Sequence, residues 1–401
     1  MDRLPLFGFP WSSHRDEEPQ PSTPASPSPA ASADDPTSSS SSWPVFLPVA
    51  GAVALSTLLW PRPASRRNSA AATGAGAAES LRLALVADVQ YADKDDRVVM
   101  GSCRHYRDAL PKLVHLVDAL IAQARDPDGN SRPDAVLQLG DLIDGNETVS
   151  QSREELERVL RPFARLQSAT GAPVYHVLGN HCLCVGRRHA QERLRLPAAY
   201  YEVPLLPRSP RARASGRRPA STSSPSPQWR LFVLDCLDVS LCWDDAREPR
   251  RLHAERHLKE HGGTEPNAVP YNGGIGDEQL VWLERGLLSC REQSQYAVVA
   301  GHVPIAAGSA DESLLLWNRD RLVSLFRAYN DVVKVYLAGH DHYGGYAQVD
   351  GVHYVTLPSV VDADAGQQAH AVLQLPLRRD GSKAARLHGF GRVPSRLLWL
   401  S

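Results

Sequence analysis

The 401-residue chain has no excess of charge of either sign: 44 lysines and arginines face 45 aspartates and glutamates, for a formal net charge of −1. That balance offers no electrostatic footprint for DNA or RNA, so no nucleic-acid partner is expected. Cysteine is scarce. Six in a chain of this length do not make a disulfide framework, and their irregular placement at 103, 182, 184, 236, 242 and 290 fits no zinc-ribbon pattern. They read as reduced thiols in a reducing compartment. No internal repeat of fixed period is visible either.

Proline, by contrast, is crowded, with twelve of the 31 before residue 81. Residues 1–42 combine Pro, Ser and Ala with few aliphatic side chains, cannot bury enough apolar surface to offset chain entropy, and are expected to be disordered. Residues 43–60, WPVFLPVAGAVALSTLLW, are 18 positions without a charge, at the lower edge of the length that spans a bilayer. Tryptophans at both ends suit two interfaces, whereas Pro44 and Pro48 weaken the first turns. A membrane span and a targeting segment both stay open. If the segment spans, Arg62, Arg66 and Arg67 behind it and the acidic lead before it put the C-terminal part of the chain on the cytosolic side. Otherwise the chain is soluble or organelle-targeted.

A linker over 61–80 leads into one domain, 81–401, expected to be monomeric and interrupted at 207–228 by a low-complexity insertion with five arginines and no acid. An apolar run precedes the insertion and WRLFVLD comes after it, so it reads as an enlarged loop between two strands. Elsewhere one arrangement recurs. A short apolar run ends in polar residues: LRLALVA before Asp88-Val89-Gln90, AVLQL before Gly140-Asp141, and PVYHVL before Gly179-Asn180-His181. YAVVA leads to Gly301-His302 and VVKVYLA to Gly339-His340-Asp341-His342 in the same way. Between these strand-like runs, apolar residues spaced by three and four predict helices over 104–124, 154–166, 277–288 and 313–329. The chain is therefore α/β, with polar groups emerging at strand ends, where such folds build their sites.

Asp88, Gln90, Asp141, Asn180, His302, His340 and His342 would be costly to gather at one edge unless a cation neutralised and coordinated them. Two carboxylates and several neutral donors suffice for a pair of divalent ions if Asp141 bridges. Oxygen and imidazole donors without cysteine point to Mn²⁺, Fe or Zn²⁺, and a two-ion centre is a known arrangement for phosphoester cleavage.

These motifs, D-x-[HQ], G-D-x-x-D, G-N-H, G-H-x-P and G-H-x-H in that order, resemble the calcineurin-like metallophosphoesterase superfamily. ADVQYAD, HYRDAL, QLGDLIDGN, YNGG before DEQLVWL, WNRD, GHDHYGGY and GRVPSR narrow the resemblance to the manganese-dependent ADP-ribose/CDP-alcohol diphosphatases, over residues 81 to 398 apart from the insertion. The resemblance implies a four-layer α/β/β/α sandwich and hydrolysis of a nucleoside diphosphate-linked small molecule to a nucleoside monophosphate and a phosphorylated product. It implies two Mn²⁺ ions, with Zn²⁺, Fe or Mg²⁺ as other occupants. One ion falls to Asp88, Gln90, Asp141 and His342, and the other to Asp141, Asn180, His302 and His340. His181 becomes the group that stabilises the transition state or protonates the leaving group, and Asp144 and Asn146 orient ligands. Arg107 and the Asn272-Gly273-Gly274 turn are candidates for holding the diphosphate. A phosphomonoesterase or cyclic-nucleotide phosphodiesterase of the same fold is the alternative, and a scaffold without catalysis a more distant one.

Two positions depart from the family pattern: Cys182 comes after Gly-Asn-His where Glu is usual, and Asp341 stands inside Gly-His-x-His. His253, His257 and His261 recur every four residues but read as a solvated helix face. Cys182 and Cys184 read as packing, Trp282 as core, and Asp93, Asp95 and Asp96 as a solvated loop.

Overall fold

The computed structural model describes residues 80–125, 132–207, 229–377 and 384–400. The expected disordered lead, the 43–60 segment and nearly all of the 61–80 linker and the Arg-rich insertion lie outside these residues. Among the described residues no helix is long and apolar enough to cross a membrane.

Two six-stranded sheets carry the domain. In the first, β1 (Ser80–Val86) pairs in parallel with β4 (Ala135–Gln138), and β4 with β5 (Val174–His176). On its other side β1 pairs antiparallel with β12 (Ala369–Pro376), which continues into β13 (Ala384–Gly391) and β14 (Arg396–Trp399). The second sheet is built on the parallel strands β7 (Trp229–Val233), β8 (Tyr296–Ala300), β9 (Val333–Ala338) and β11 (Val352–Thr356). Antiparallel β6 (Tyr201–Leu205) and β10 (Gly345–Val349) edge it. Strands β6 and β7, which flank the Arg-rich insertion, are neighbours as expected.

Strand periodicity explains the layering. Leu81, Leu83 and Leu85 on alternate positions of β1 join Leu137, Leu231, Val298, Val335 and Leu373 in a core between the sheets. Ala84 and Val86 point the other way, into a core with α1 (Ala109–Ala124) and α2 (Val149–Thr170). On the outer face of the second sheet, Phe232, Val299 and Tyr336 meet the helices Asp277–Glu292 and Arg319–Ala328. The layers run α/β/β/α, and strands covered on both faces account for the near-continuous apolar runs.

Helix bounds shift for local reasons. Arg104 closes the small hairpin of β2 (Arg97–Val99) and β3 (Ser102–Arg104), so α1 starts only at Ala109. α2 begins early because Thr148 and Gln151 form a capping box. The helix expected over 313–329 starts at Arg319, after a short 3₁₀ turn over Glu312–Leu314. Leu314, Leu315, Leu316 and Trp317 are all buried, and four consecutive apolar residues cannot share one helix face.

Candidate metal centre

Five loops leave the carboxyl ends of β1, β4, β5, β8 and β9 and meet at the seam between the sheets. Their backbones knit together: Gln90 N–H donates to Asp141 O (3.0 Å), Leu139 N–H to Val86 O (2.9 Å) and Gly339 N–H to His302 O (3.0 Å). Asp88, Gln90, Asp141 and His340 hold positive φ values of 50°, 41°, 52° and 70°, a sparsely populated region that persists only where surroundings over-determine it. The adjoining Gly179 and Gly339 admit close approach. A Cβ on either would collide with the carboxylate of Asp141 or Asp88.

Ligand-capable atoms of Asp88, Asp141 and His302 lie within 4.8 Å of one another, and all three residues are fully buried. Each histidine of the cluster is fixed by an acceptor on one ring nitrogen. His302 Nδ1 meets Leu139 O at 2.8 Å, and a carbonyl can only accept, so Nδ1 carries the hydrogen. Nε2 of the neutral ring is then a bare lone pair. It nevertheless sits 3.1 Å from Asn180 Oδ1 and 3.2 Å from Asp141 Oδ2, two further acceptors. His340 Nε2 lies 2.8 Å from Asn272 Oδ1, whose amide is oriented by donating to the carbonyls of Asn267, Ser313 and Leu315. His342 Nδ1 meets Asp362 Oδ1 at 2.8 Å, which leaves Nε2 facing Asp88 Oδ1 at 3.8 Å.

The acceptors around His302 favour a positive charge at Nε2, and the electrostatics record it. Burial raises the Asp88 carboxyl to about 6, against the pull of His302 and His342. Burial acts on Asp141 too but is outweighed by His302 and His181, which hold its carboxyl well below the usual carboxylate range. Burial would lower His302, yet Asp141 pushes it up to about 9. For His340, burial and then the neighbouring His302 drive the ring well below the ordinary imidazole range. Buried carboxylates thus draw a positive charge onto His302, and the oxygen and imidazole donors around them suit a divalent ion in its place.

His181 lies beside this cluster. Its backbone N–H donates to Asp141 Oδ1 (2.9 Å), while ring Nδ1 lies 3.0 Å from Asp144 O and 3.2 Å from Asp144 Oδ1. Asp144 also pairs with Lys94 and sits 3.6 Å from Arg104.

Four of the expected site residues make contacts that the sequence did not show. Gln90 meets the cluster through its amide nitrogen. Oε1 accepts from Arg104 (3.2 Å) and Nε2 donates to Asp141 Oδ2 (3.2 Å); the flipped amide would set its NH₂ against a guanidinium that can only donate. Arg107 is exposed and committed to Asp93 (2.8 Å) and Asp95 (2.6 Å) rather than to a diphosphate, so those acids are ion-paired rather than merely solvated. Asn146 touches Glu155 (2.7 Å) and Ser152 (2.9 Å), tying its loop to α2 and orienting none of the seven residues. In the Asn272-Gly273-Gly274 turn, the Gly274 N–H is spent on Val239 O (2.8 Å), and it is the Asn272 side chain that reaches the cluster.

The two departures are structural. Cys182 is buried, accepts from Leu142 N–H (3.1 Å) and has its thiol pushed up to about 12 by burial. Asp341 satisfies the backbone N–H groups of Asp311 (2.9 Å) and Tyr343 (3.0 Å). His257 stacks on Trp317 with 4.7 Å between centroids, as a packing group. Sequence reasoning missed Arg104 and Asp362. The period-2 pattern of β3 and the position of Asp362 after β11 were the available signals.

The calcineurin-like phosphoesterase family profile matches residues 81–344. The chain is 32% identical over 301 residues to the manganese-dependent ADP-ribose/CDP-alcohol diphosphatase of Arabidopsis thaliana, covering 70% of this chain and 86% of that protein. It is 32% identical over 328 residues to the protein of the same name from Mus musculus, covering 78% and 92%. Among solved structures it is similar to a dimetal phosphatase from Danio rerio, with a TM-score of 0.65, 25% identity, and coverage of 80% of this chain and 99% of that one.

Proposed function

The chain belongs to the calcineurin-like phosphoesterase family, and on that premise we propose that it is a manganese-dependent hydrolase of nucleoside diphosphate-linked small molecules, ADP-ribose and CDP-alcohols such as CDP-choline, CDP-ethanolamine and CDP-glycerol. The Arabidopsis thaliana and Mus musculus relatives support the substrate class and the metal. The observation that carries the reading is the buried convergence of Asp88, Asp141 and His302, with Asn180 Oδ1 3.1 Å and Asp141 Oδ2 3.2 Å from His302 Nε2.

Asp88, Asp141, Asn180, His302, His340 and His342 would hold the ions, with Asp141 between them. What bound Mn²⁺ supplies is neutralisation of phosphoryl charge and a lowered pKa for water. The remaining work belongs to the chain. Leu139 O, Asn272 Oδ1 and Asp362 Oδ1 each occupy one ring nitrogen of an imidazole, so that the other would be the one left for an ion. Gln90, held by Arg104, donates to Asp141 and pins that carboxylate. Asp144 O and Oδ1 lie against His181 Nδ1 and orient the ring beside Asp141, as the candidate for stabilising the transition state or protonating the leaving group. The products are a nucleoside monophosphate and a phosphorylated second moiety.

A substrate panel tests the reading. With Mn²⁺, ADP-ribose and CDP-choline are expected to be hydrolysed at least ~10-fold faster, by kcat/KM, than a phosphomonoester or cyclic nucleotide, about the discrimination one pocket contact gives. Turnover of the monoester or cyclic substrate alone would assign the same centre to the alternative activity. No turnover of any would leave a scaffold.

A further inference from the structure

Strand alternation gives the β2–β3 hairpin two chemically different faces. Arg104 belongs to the catalytic side, where its buried guanidinium bonds Gln90. Cys103, next to it in the strand, turns the other way and meets His105 and Asp96. His105 Nδ1 lies 2.7 Å from Asp96 Oδ2 and 3.9 Å from Cys103 Sγ, and ligand atoms of the three residues lie within 4.8 Å of one another. Asp96 is exposed and the other two are half-buried, so solvent reaches the group.

A nucleophile relay is not the explanation. That arrangement needs the thiol on one imidazole nitrogen and the carboxylate on the other, whereas here both face the same Nδ1. Convergence on one point is what a metal requires. Bonds of ~2.0–2.3 Å at tetrahedral angles separate donors by about 3.4–3.6 Å, between the two distances observed. Thiolate, imidazole and carboxylate together select a borderline-soft ion over Mn²⁺ or Mg²⁺.

We propose that Asp96, Cys103 and His105 form a second metal site, for Zn²⁺ with solvent as fourth ligand, separate from the catalytic centre. Binding releases the thiol proton and pins β3, which also carries Arg104, the partner of Gln90. The proposal does not depend on the substrate reading.

The test uses the full chain saturated with Mn²⁺, with Co²⁺ as the spectroscopic probe and Zn²⁺ titrated against a chelating competitor. Wild type is expected to show a thiolate-to-cobalt charge-transfer band that Cys103→Ser removes, and to bind one more equivalent of Zn²⁺ than that variant. Asp96→Asn, at an exposed position, keeps the fold and is expected to weaken Zn²⁺ by at least ~10-fold through loss of a charged ligand. Equal Zn²⁺ stoichiometry in wild type and Cys103→Ser, or a band that survives the substitution, overturns the proposal.

Discussion

The first sheet brings oxygen and amide groups to the cluster, in Asp88, Gln90, Asp141 and Asn180, whereas the second brings nitrogen, in His302, His340 and His342. The first sheet has buried imidazoles of its own. His176 on β5 and His370 on β12 are each pushed down to about 4 by burial, with no acid to oppose it. His302, as deeply buried, goes up to about 9 because Asp141 faces it. One residue type is thus held neutral at His176 and His370 and charged at His302, and the deciding variable is a carboxylate across the seam. The centre therefore exists only where the two sheets meet.

The sharpest way to break this contrast is Asp141→Asn, which removes the charge both halves share. Mn²⁺ binding at both positions and turnover should be lost, with activity down more than ~10³-fold, since outer partners alone are worth ~10–100-fold. Mn²⁺-dependent turnover equal to wild type would sink the two-ion centre. His181→Ala spares every proposed ligand and is expected to keep Mn²⁺ while kcat falls by ~10²–10⁴, the range for a lost general acid; metal content and single-turnover rates separate the two effects.

Smaller effects probe how the second sheet's imidazoles are held. Asp362→Ala and Asn272→Ala each free one ring nitrogen and should weaken Mn²⁺ by ~10–100-fold, with kcat recovering at saturating metal. An affinity within a factor of two of wild type would mean that the tautomers are set elsewhere. The smallest effect belongs to the first sheet's imidazoles. The fold holds His370 neutral, from an ordinary 6.5 down to about 4, so its contribution is full above pH 6.5 and is lost as pH falls towards 4. Below that it changes no further. The loss is about 3 kcal/mol at most. His370→Phe, in a slot where the ring stacks on Phe390 and neither nitrogen has a hydrogen-bond partner, should flatten the drop in urea midpoint between pH 6.5 and 4.

Much of this was legible in the chain. The alternating leucines of β1 and the apolar runs before Asp88, Asp141, Asn180, His302 and His340 located strand ends, because a strand's two-residue period and its exit residues are local properties. The ligand set came from residue type. What escaped was pairing across distance. Arg107 and Arg104 are three residues apart with the same charge, yet only Arg104 is on the face of β3 that reaches Gln90, while Arg107 turns to Asp93 and Asp95. Asp362 is one acid among 45, and nothing local says that it meets His342 twenty residues away.

The near absence of net charge, the scarcity of cysteine and the strand-end motifs determined, without coordinates, an α/β protein that gathers oxygen and imidazole donors for a cation. Only the tertiary structure decided which way each donor points: that Gln90 gives a hydrogen bond to Asp141, that the Asn272 side chain reaches His340, and that Cys103 joins His105 and Asp96. The reason is physical. Residue type sets what a group can donate or accept, but hydrogen-bond direction and tautomer depend on the partner across the contact, and that partner comes from a distant part of the chain.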